Sequence, residues 1–346
     1  MQHPLFTIGI PTFNRHDLLR ETLQSILVQS FTDFEIIVGN DYTSEVLTQD
    51  RIGISDPRIR IVNHPVNLRE VGNLNAVFAE AKGRYFTWQF DDDLYEPGFL
   101  KTAHDILSAN DFPPALFPSY RVLFDSETLQ FNDISYNKLR QLSGREYLAE
   151  YSAERLKLIS TCGLFDTEML RSIVGGAEEI CSDSIIGLYF EYLFLVKCAL
   201  LGKILYIDAP FVIFRVHSDS WGEANTELDK YLEAGQKLLQ RTGEVFRHPD
   251  FLDDFDSNLI AICKMHLITF ATKSSQYEIA RKRFGLRGHW SALTRSMKEA
   301  CAIRKTFTTE GGSNNFSNTF AFVKIQIYCC RLISGKLRQH WFSRSS

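Results

Sequence analysis

Apolar and polar positions along the chain change period several times, and each change marks an element. Residues 6–10 form a β-rich run that closes at Pro11. Leu18, Leu19, Leu23, Ile26 and Leu27 recur at helical spacing, which predicts a helix over 18–29. Residues 34–38 read as an apolar strand broken only by Glu35, ending at Gly39-Asn40-Asp41. A short strand at 58–63, a helix at 71–81 stopped by Gly83, and a strand at 85–90 come next. Two successive strand–helix–strand units imply a parallel sheet with helices on its faces. Ligands of such sheets sit at the carboxyl ends of the strands. Three polar clusters, at 11–15, 40–44 and 91–93, fall at those ends.

Beyond residue 100 the pattern is mixed. A Pro-rich stretch at 112–118 precedes an apolar run at 159–165 and a long helix expected after Asp183. Residues 202–214 read as a hairpin. After Ser220 the periodicity becomes helical, at 227–246, 254–272 and 277–304, with a Gly/Ser/Asn break at 311–315 before a last helical stretch. A domain boundary is expected near residue 222, giving an α/β domain over 1–222 and a helical region over 223–346. No internal repeat is visible.

With 45% hydrophobic residues the chain can build a sizeable core. A net charge of -4 argues against a nucleic-acid partner. That average conceals an asymmetry. From Arg304 onward seven Lys/Arg stand against one acid, Glu310, so the tail carries +6 and the rest, 31 basic against 41 acidic groups, carries -10. Such a tail suits an anionic surface. The seven cysteines include no CxxC pair, and adjacent Cys329 and Cys330 suit neither an ordinary disulfide nor zinc. Reduced thiols, and hence a cytoplasmic location, are expected. The N-terminus enters a strand at once, without the regions of a signal peptide. The apolar stretch 185–201 contains Glu191 and Lys197 and is shorter than the ~20 residues of a membrane span, so no spanning helix is expected.

The sharpest chemical signal is Asp91-Asp92-Asp93 at the end of a predicted strand. Adjacent carboxylates suit a hard divalent cation, Mg²⁺ or Mn²⁺, which takes oxygen ligands and commonly shares them with substrate phosphates. The competing reading is a solvated acidic turn in which Asp93 caps the next segment.

Four segments, IPTFNR (10–15), IIVGNDYTSE (36–45), GNLNAVFAEAKGRYFTWQFDDDLYEPGFL (72–100) and LLGKILYIDAPFVIFRVH (200–217), succeed one another as in the family 2 glycosyltransferases, which the chain resembles over roughly residues 4–220. The resemblance implies the nucleotide-sugar-binding GT-A fold and inverting chemistry. It implies that Pro11, Thr12, Phe13 and Arg15 wrap the nucleotide base and that Asp41 contacts base or ribose. Asn40 and Tyr42-Thr43 depart from the Asp and Gly-Ser usual there. Asn75 matches an Asn of the helix leading to the aspartate strand. Leu74 stands where relatives often have Arg, a charge that Arg69 would replace toward the phosphates. Asp91 and Asp92 would contact donor and ribose, and Asp91 with Asp93 would hold the metal, although the register within the triplet is open. Arg215 and His217 match an R-x-H that closes over the diphosphate, with Trp221 nearby as a sugar-stacking candidate.

An inverting transfer needs a base for the acceptor hydroxyl. The resemblance points to Asp183, with Glu191 as the rival when counted back from Gly202. Asp183 is also a good N-cap for the expected helix, and Glu191 would lie inside it. The expected activity moves a sugar from a nucleotide diphosphate, a UDP-sugar first, to a hydroxyl of a glycan or lipid-linked acceptor in bacterial envelope polysaccharide synthesis. The alternatives are a catalytically weak GT-A-like scaffold and a nucleotidyltransferase, the latter disfavoured because IPTFNRHDLL has no glycine after Pro11. In the tail, Phe316, Phe320, Val323, Ile327 and Cys330 share one helical face and Lys324, Arg331, Lys336 and Arg338 add positive charge. A helix over 316–342 would pack, make a homo-oligomer, or dock peripherally on the inner face of a membrane.

Overall fold

A computed structural model describes residues 3–159, 162–182, 184, 187–217 and 228–276, with scattered positions between 295 and 303. The chain divides into two compact units, Met1–Glu179 with Ile185–Ala224, and Ile180–Ser184 with Asn225–Ser346.

The first unit is built on one mixed sheet. Its elements run β1 (Phe6–Thr12), α1 (His16–Leu27), β2 (Phe34–Asn40), α2 (Gln49–Ile52), β3 (Ile59–Asn63), α3 (Arg69–Ala79), β4 (Tyr85–Trp88), β5 (Leu94–Tyr95), α4 (Phe99–Ala109), β6 (Ala115–Phe124), β7 (Leu139–Ser143), α5 (Gly144–Ser152), β8 (Leu164–Asp166), α6 (Thr167–Met169), α7 (Phe190–Cys198) and β9 (Lys203–Val216). The strand order is β3-β2-β1-β4-β8-β6-β9-β5, with β7 also on β9. β3, β2, β1 and β4 are mutually parallel. The chain winds outward to β3, then returns through α3 to place β4 on the other side of β1. That reversal is the point where α/β sheets open a crevice at their carboxyl ends.

Strand alternation explains the two faces. Phe6, Ile8 and Ile10 of β1 and Phe34, Ile36 and Val38 of β2 join Leu19, Leu23 and Ile26 of α1 and Phe99, Ala103 and Ile106 of α4 in one buried cluster. The opposite face receives α3 very closely. A side chain at Gly39 would come within 2.2 Å of Asn73 Oδ1 and 2.6 Å of Val77 Cγ1, so only glycine admits the helix there. Trp88 Nε1 donates to the Leu74 carbonyl (2.9 Å), and its ring meets Phe78 and Phe194, tying β4 to α3 and α7. The fold is therefore mixed α/β with a mostly parallel core, as expected.

Two expectations change. Residues 202–214 are not a hairpin but part of β9, a single long strand. Its Asp208-Ala209-Pro210 break is absorbed as a bulge, the partners stepping from Pro118↔Ile207 to Ser119↔Pro210 and Tyr120↔Val212. A proline, having no N–H, is tolerated at such an irregularity. The helix expected after Asp183 begins only at Phe190, after Tyr189 in a left-handed conformation (φ 59°).

The second unit contains α8 (Leu228–Val245) and α9 (Phe255–Gln276). Leu259, Ile262, Cys263, His266, Leu267 and Phe270 form the buried stripe of α9, at the spacing of one helical face. Gly235 of α8 lies against His266, where an added Cβ would sit 2.0 Å from ring carbon Cε1. Burial lowers the His266 pKa to about 4. The predicted stretch 277–304 is described only at scattered positions, and the tail from 304, including 316–342, lies outside the described residues. Among the described residues no helix is long and apolar enough to cross a membrane. The described cysteines Cys162, Cys181, Cys198 and Cys263 are buried and form no disulfide.

Candidate active site

β1 and β4 end side by side at the crevice, and their ends are fastened to each other. Thr12 Oγ1, the last side chain of β1, donates to Asp91 Oδ2 (2.6 Å). The Phe13 backbone N–H also serves the Asp91 carboxylate. Asn14, with φ 52°, turns the chain, and Arg15 comes back over the triplet. Its Nη1 donates to Asp91 Oδ1 (3.2 Å) and Asp92 Oδ2 (2.8 Å). Thr22 of α1 reaches the same loop from beneath, with Oγ1 at 3.0 Å and 2.8 Å from the Asp91 and Asp93 carbonyls.

β9 supplies the other wall. The Arg215 backbone N–H donates to Asp93 Oδ1 (2.9 Å). Its guanidinium extends to the Asp92 carbonyl, to Glu21 and to the Leu18 carbonyl. Arg215 therefore braces the aspartate loop against α1. His217 Nε2 lies 3.1 Å from Asp92 Oδ2. One oxygen of Asp92 thus stands between Arg15 and His217.

The three aspartates are not a solvated turn. Asp91 is 6% exposed and Asp93 wholly buried, and only Asp92 is partly open. Burial, then the neighbouring Asp92 charge, pushes the Asp91 pKa up to about 6, against the opposing pull of Arg15. The same two causes raise Asp93 further above the ordinary range, and its Oδ2 is enclosed without a hydrogen-bond partner. For a divalent cation the donor chemistry fits. The triplet offers oxygen ligands only, and the raised Asp91 marks negative charge that its surroundings under-compensate. Among the described residues no three His/Cys/Asp/Glu side chains close a complete shell. A cation here would need donor oxygens from the substrate, with Asp91 and Asp92 the more open pair and Asp93 behind them.

The other expected residues separate into two groups. Phe13 and Tyr42 meet edge to face, ring centroids 5.3 Å apart, so the first loop and the loop after β2 share a half-buried aromatic wall. Pro11 pairs in register with Gly39 within the sheet. Asp41 is turned inward. Its Oδ1 accepts the Leu68 N–H (2.6 Å), it is 3% exposed, and burial raises its pKa. Asn40 organises the same loop, its Nδ2 donating to the Glu45 carbonyl (3.0 Å) and Asn63 Oδ1 (2.8 Å). Arg69 is exposed with φ 62°, and its Nη1 is 3.9 Å from Glu179. Asn75 bonds both polar groups of Ala177, donating to its carbonyl (2.8 Å) and accepting its N–H (3.0 Å).

Asp183 and Trp221 lie outside the described residues. α7 starts at Phe190. Glu191 lies within it, in the first turn, and is half-buried. Sequence reasoning also missed Glu70. It sits in the first turn of α3, where an acid is an ordinary partner for the helix dipole and draws no notice. Its Oε2 accepts the Gly187 N–H (2.8 Å). Burial raises its pKa to about 7, with Glu191, Arg15 and Asp92 as further charged neighbours. Glu70 is therefore an electrostatic neighbour of both the aspartate loop and Glu191.

Residues 7–143 match the family model described as Glycosyl transferase family 2. The GalNAc(5)-diNAcBac-PP-undecaprenol beta-1,3-glucosyltransferase of Campylobacter jejuni is 29% identical over 218 residues, covering 62% of this chain and 65% of that protein. The matched stretches span between 15% and 65% of the curated relatives' own lengths. Among solved structures, S. aureus TarS 1-349 in complex with UDP-GlcNAc aligns over 90% of this chain and 93% of its own, with TM-score 0.54 and 13% identity. The mannosyltransferase PcManGT from Pyrobaculum calidifontis, in complex with GDP-Man and Mn2+, aligns over 95% and 88%, with TM-score 0.50 and 17% identity. At these identities the structural likeness speaks for the fold, and it is the stretch 7–143, which contains the end of β1, the loop after β2 and the aspartate triplet, that is similar in sequence to family 2 of the glycosyltransferases.

Proposed function

We propose that the protein transfers a sugar from a nucleotide diphosphate to a hydroxyl group of a glycan or lipid-linked acceptor, with inversion and with assistance from Mg²⁺ or Mn²⁺. The observation that carries this reading is the Asp91–Asp92 pair at the carboxyl end of β4, with Asp92 Oδ2 between Arg15 and His217. Phe13 and Tyr42 would border the base, near the Asp41 loop. Arg15 and His217 would face the diphosphate and keep Asp92 oriented. Asp91 and Asp92 would hold a cation together with phosphate oxygens, with Asp93 behind them. When bound, that ion supplies Lewis-acid stabilisation of the leaving diphosphate.

The chain's own contribution is then positional and acid–base. A carboxylate takes the proton of the acceptor hydroxyl. The freed oxygen pair attacks the anomeric carbon from the face opposite the diphosphate, and the bond from that carbon to the diphosphate oxygen breaks with its electrons leaving on the nucleotide. Asp183 and Glu191 are the candidates for this base. The undecaprenol-linked substrate in the name of the Campylobacter relative favours a lipid-linked acceptor here, which suits a basic tail near a membrane surface.

Turnover of a panel of UDP-, GDP- and dTDP-sugars, with and without Mn²⁺, tests the reading. Asp183→Asn or Glu191→Gln should cut transfer roughly 10²–10⁴-fold while donor affinity stays, the usual scale for a lost base. Turnover of no sugar nucleotide by the wild-type protein would overturn the proposal.

A further inference from the structure

Residues 125–138, which join β6 to β7, are held by a buried carboxylate. Glu96 directly follows β5, its N–H donating to the Phe211 carbonyl (2.9 Å) and its side chain wholly buried. Its Oε1 accepts from Arg121 Nε (2.7 Å) and Asn132 Nδ2 (3.1 Å), and its Oε2 accepts the Asn132 N–H (2.8 Å). Arg121 Nη2 donates onward to the Gln130 carbonyl (2.6 Å). The backbone is therefore tied on both sides of Phe131, yet the Phe131 side chain is 48% exposed. At the start of the connection a Glu127 carboxylate oxygen accepts the Phe124 N–H (2.9 Å), and the Glu127 N–H donates to the Phe124 carbonyl (2.8 Å). Phe124 is 51% exposed and Tyr136 38%. A buried carboxylate is costly unless it is paired and hydrogen-bonded, so Glu96 marks a fixed surface, and large apolar side chains held open on a fixed surface mark an interaction site.

That surface is continuous with the crevice. Phe124 pairs in register with Val216 across β6 and β9, and the Asp125 N–H donates to the Val216 carbonyl (3.2 Å). The next residue after Val216 is His217, whose Nε2 lies 3.1 Å from Asp92 Oδ2. Composition selects the partner. Over 124–138, Asp125, Glu127 and Asp133 stand against Lys138 alone, which disfavours an anionic lipid surface. Open aromatic rings interleaved with amide and carboxylate side chains suit a sugar chain, whose rings offer C–H faces for stacking and hydroxyls for hydrogen bonds. We infer that residues 124–136 form an acceptor subsite, in which Phe124, Phe131 and Tyr136 stack on sugar units of a glycan beside the donor crevice and Glu96 is the positioning residue that fixes the platform. This rests on the functional reading above and gives the acceptor a place in it.

The test uses the full-length chain. Saturation-transfer NMR titrations with free tetrasaccharides of glucose, galactose and N-acetylhexosamine read glycan binding without any donor. Phe131→Ala and Tyr136→Ala, both at open positions, should weaken binding of the glycan that the wild type takes about tenfold or more, as for a lost aromatic anchor. Phe131→Trp should retain it. Glu96→Gln puts an amide donor where two acceptor oxygens are used, so the Asn132 amide should exchange faster with deuterium and glycan binding should fall. Sugar-nucleotide affinity, measured by calorimetry with Mn²⁺, should hold in all four variants. Glycan binding unchanged in the alanine variants or absent from the wild type overturns the inference. So does Asn132 exchange left unchanged by Glu96→Gln, or a platform whose truncation removes self-association or vesicle binding and spares the glycan. A wild type that binds no sugar nucleotide would instead count against the functional reading, and the glycan titrations would still decide whether the platform binds sugar.

Discussion

Arg15 and His217 meet at one atom. They approach Asp92 Oδ2 to 2.8 Å and 3.1 Å from opposite ends of the first unit's sequence, one in the loop after β1 and the other just past β9. The side chains are 13% and 9% exposed, so this convergence is largely shielded from screening. Removing His217 leaves Asp92 with Arg15 alone. His217→Ala is therefore expected to weaken donor binding about tenfold, near the lower end for a hydrogen bond to a charged group. Calorimetry with the preferred sugar nucleotide measures it, and an unchanged affinity would put His217 outside the donor site.

Asp93 should behave differently from its neighbours. Its Oδ1 satisfies the Arg215 N–H in a fully buried position. Asp93→Ala leaves that donor unpaired, at a cost of about 1–3 kcal/mol, read as a lower urea midpoint. Asp92→Asn, at a partly open position, should leave the midpoint nearly unchanged. Equal stability of the two variants would mean that Asp93 does not brace β9.

Glu70 predicts a pH dependence of stability. Burial raises its pKa from 4.5 to about 7 in the folded protein. Between those values the folded state holds the proton that the unfolded chain releases, so stability falls with rising pH. The contribution is full below pH 4.5 and lost as pH passes through 7. Glu70→Gln removes this dependence. The Tm of the variant relative to wild type should rise between pH 5 and pH 8, and parallel Tm curves would show that Glu70 titrates normally.

In the second unit, Gly235→Ala should destabilise. Alanine is the better helix former by about 1 kcal/mol, yet its methyl would collide with the His266 ring, and overpacking typically costs about 1–3 kcal/mol. Thermal unfolding checks the sign. His266→Ala in the same chain should recover part of the loss, and a stabilised single variant would contradict the contact.

The strands and helices up to β4 were legible because each carries its own periodicity and turn residues, and the aspartate triplet stood out as adjacent like charges at a strand end. What escaped depends on long-range packing. Asp208-Ala209-Pro210 reads locally as a turn, but pairing with β6 on both sides of it carries β9 through. The first-turn position of Glu191 was hidden because nothing local marks Tyr189 as the position where α7 starts. Glu70 gave no usable signal, and Asn75 was marked without its partner, since Gly187 and Ala177 lie far along the chain. Burial of Asp93 was equally hidden, because the covering strand comes from residue 215.

The central claim is that the Asp91–Asp92 pair, with Arg15 and His217, receives a sugar nucleotide together with a divalent cation. Titrating UDP-, GDP- and dTDP-sugars into wild-type and Asp92→Asn protein, with and without Mn²⁺, tests it most directly. The account predicts that the wild type binds one nucleotide class more tightly when Mn²⁺ is present and that Asp92→Asn loses this metal-dependent gain while staying folded. Binding that is equal with and without Mn²⁺ in both proteins, or absent from both, would contradict it.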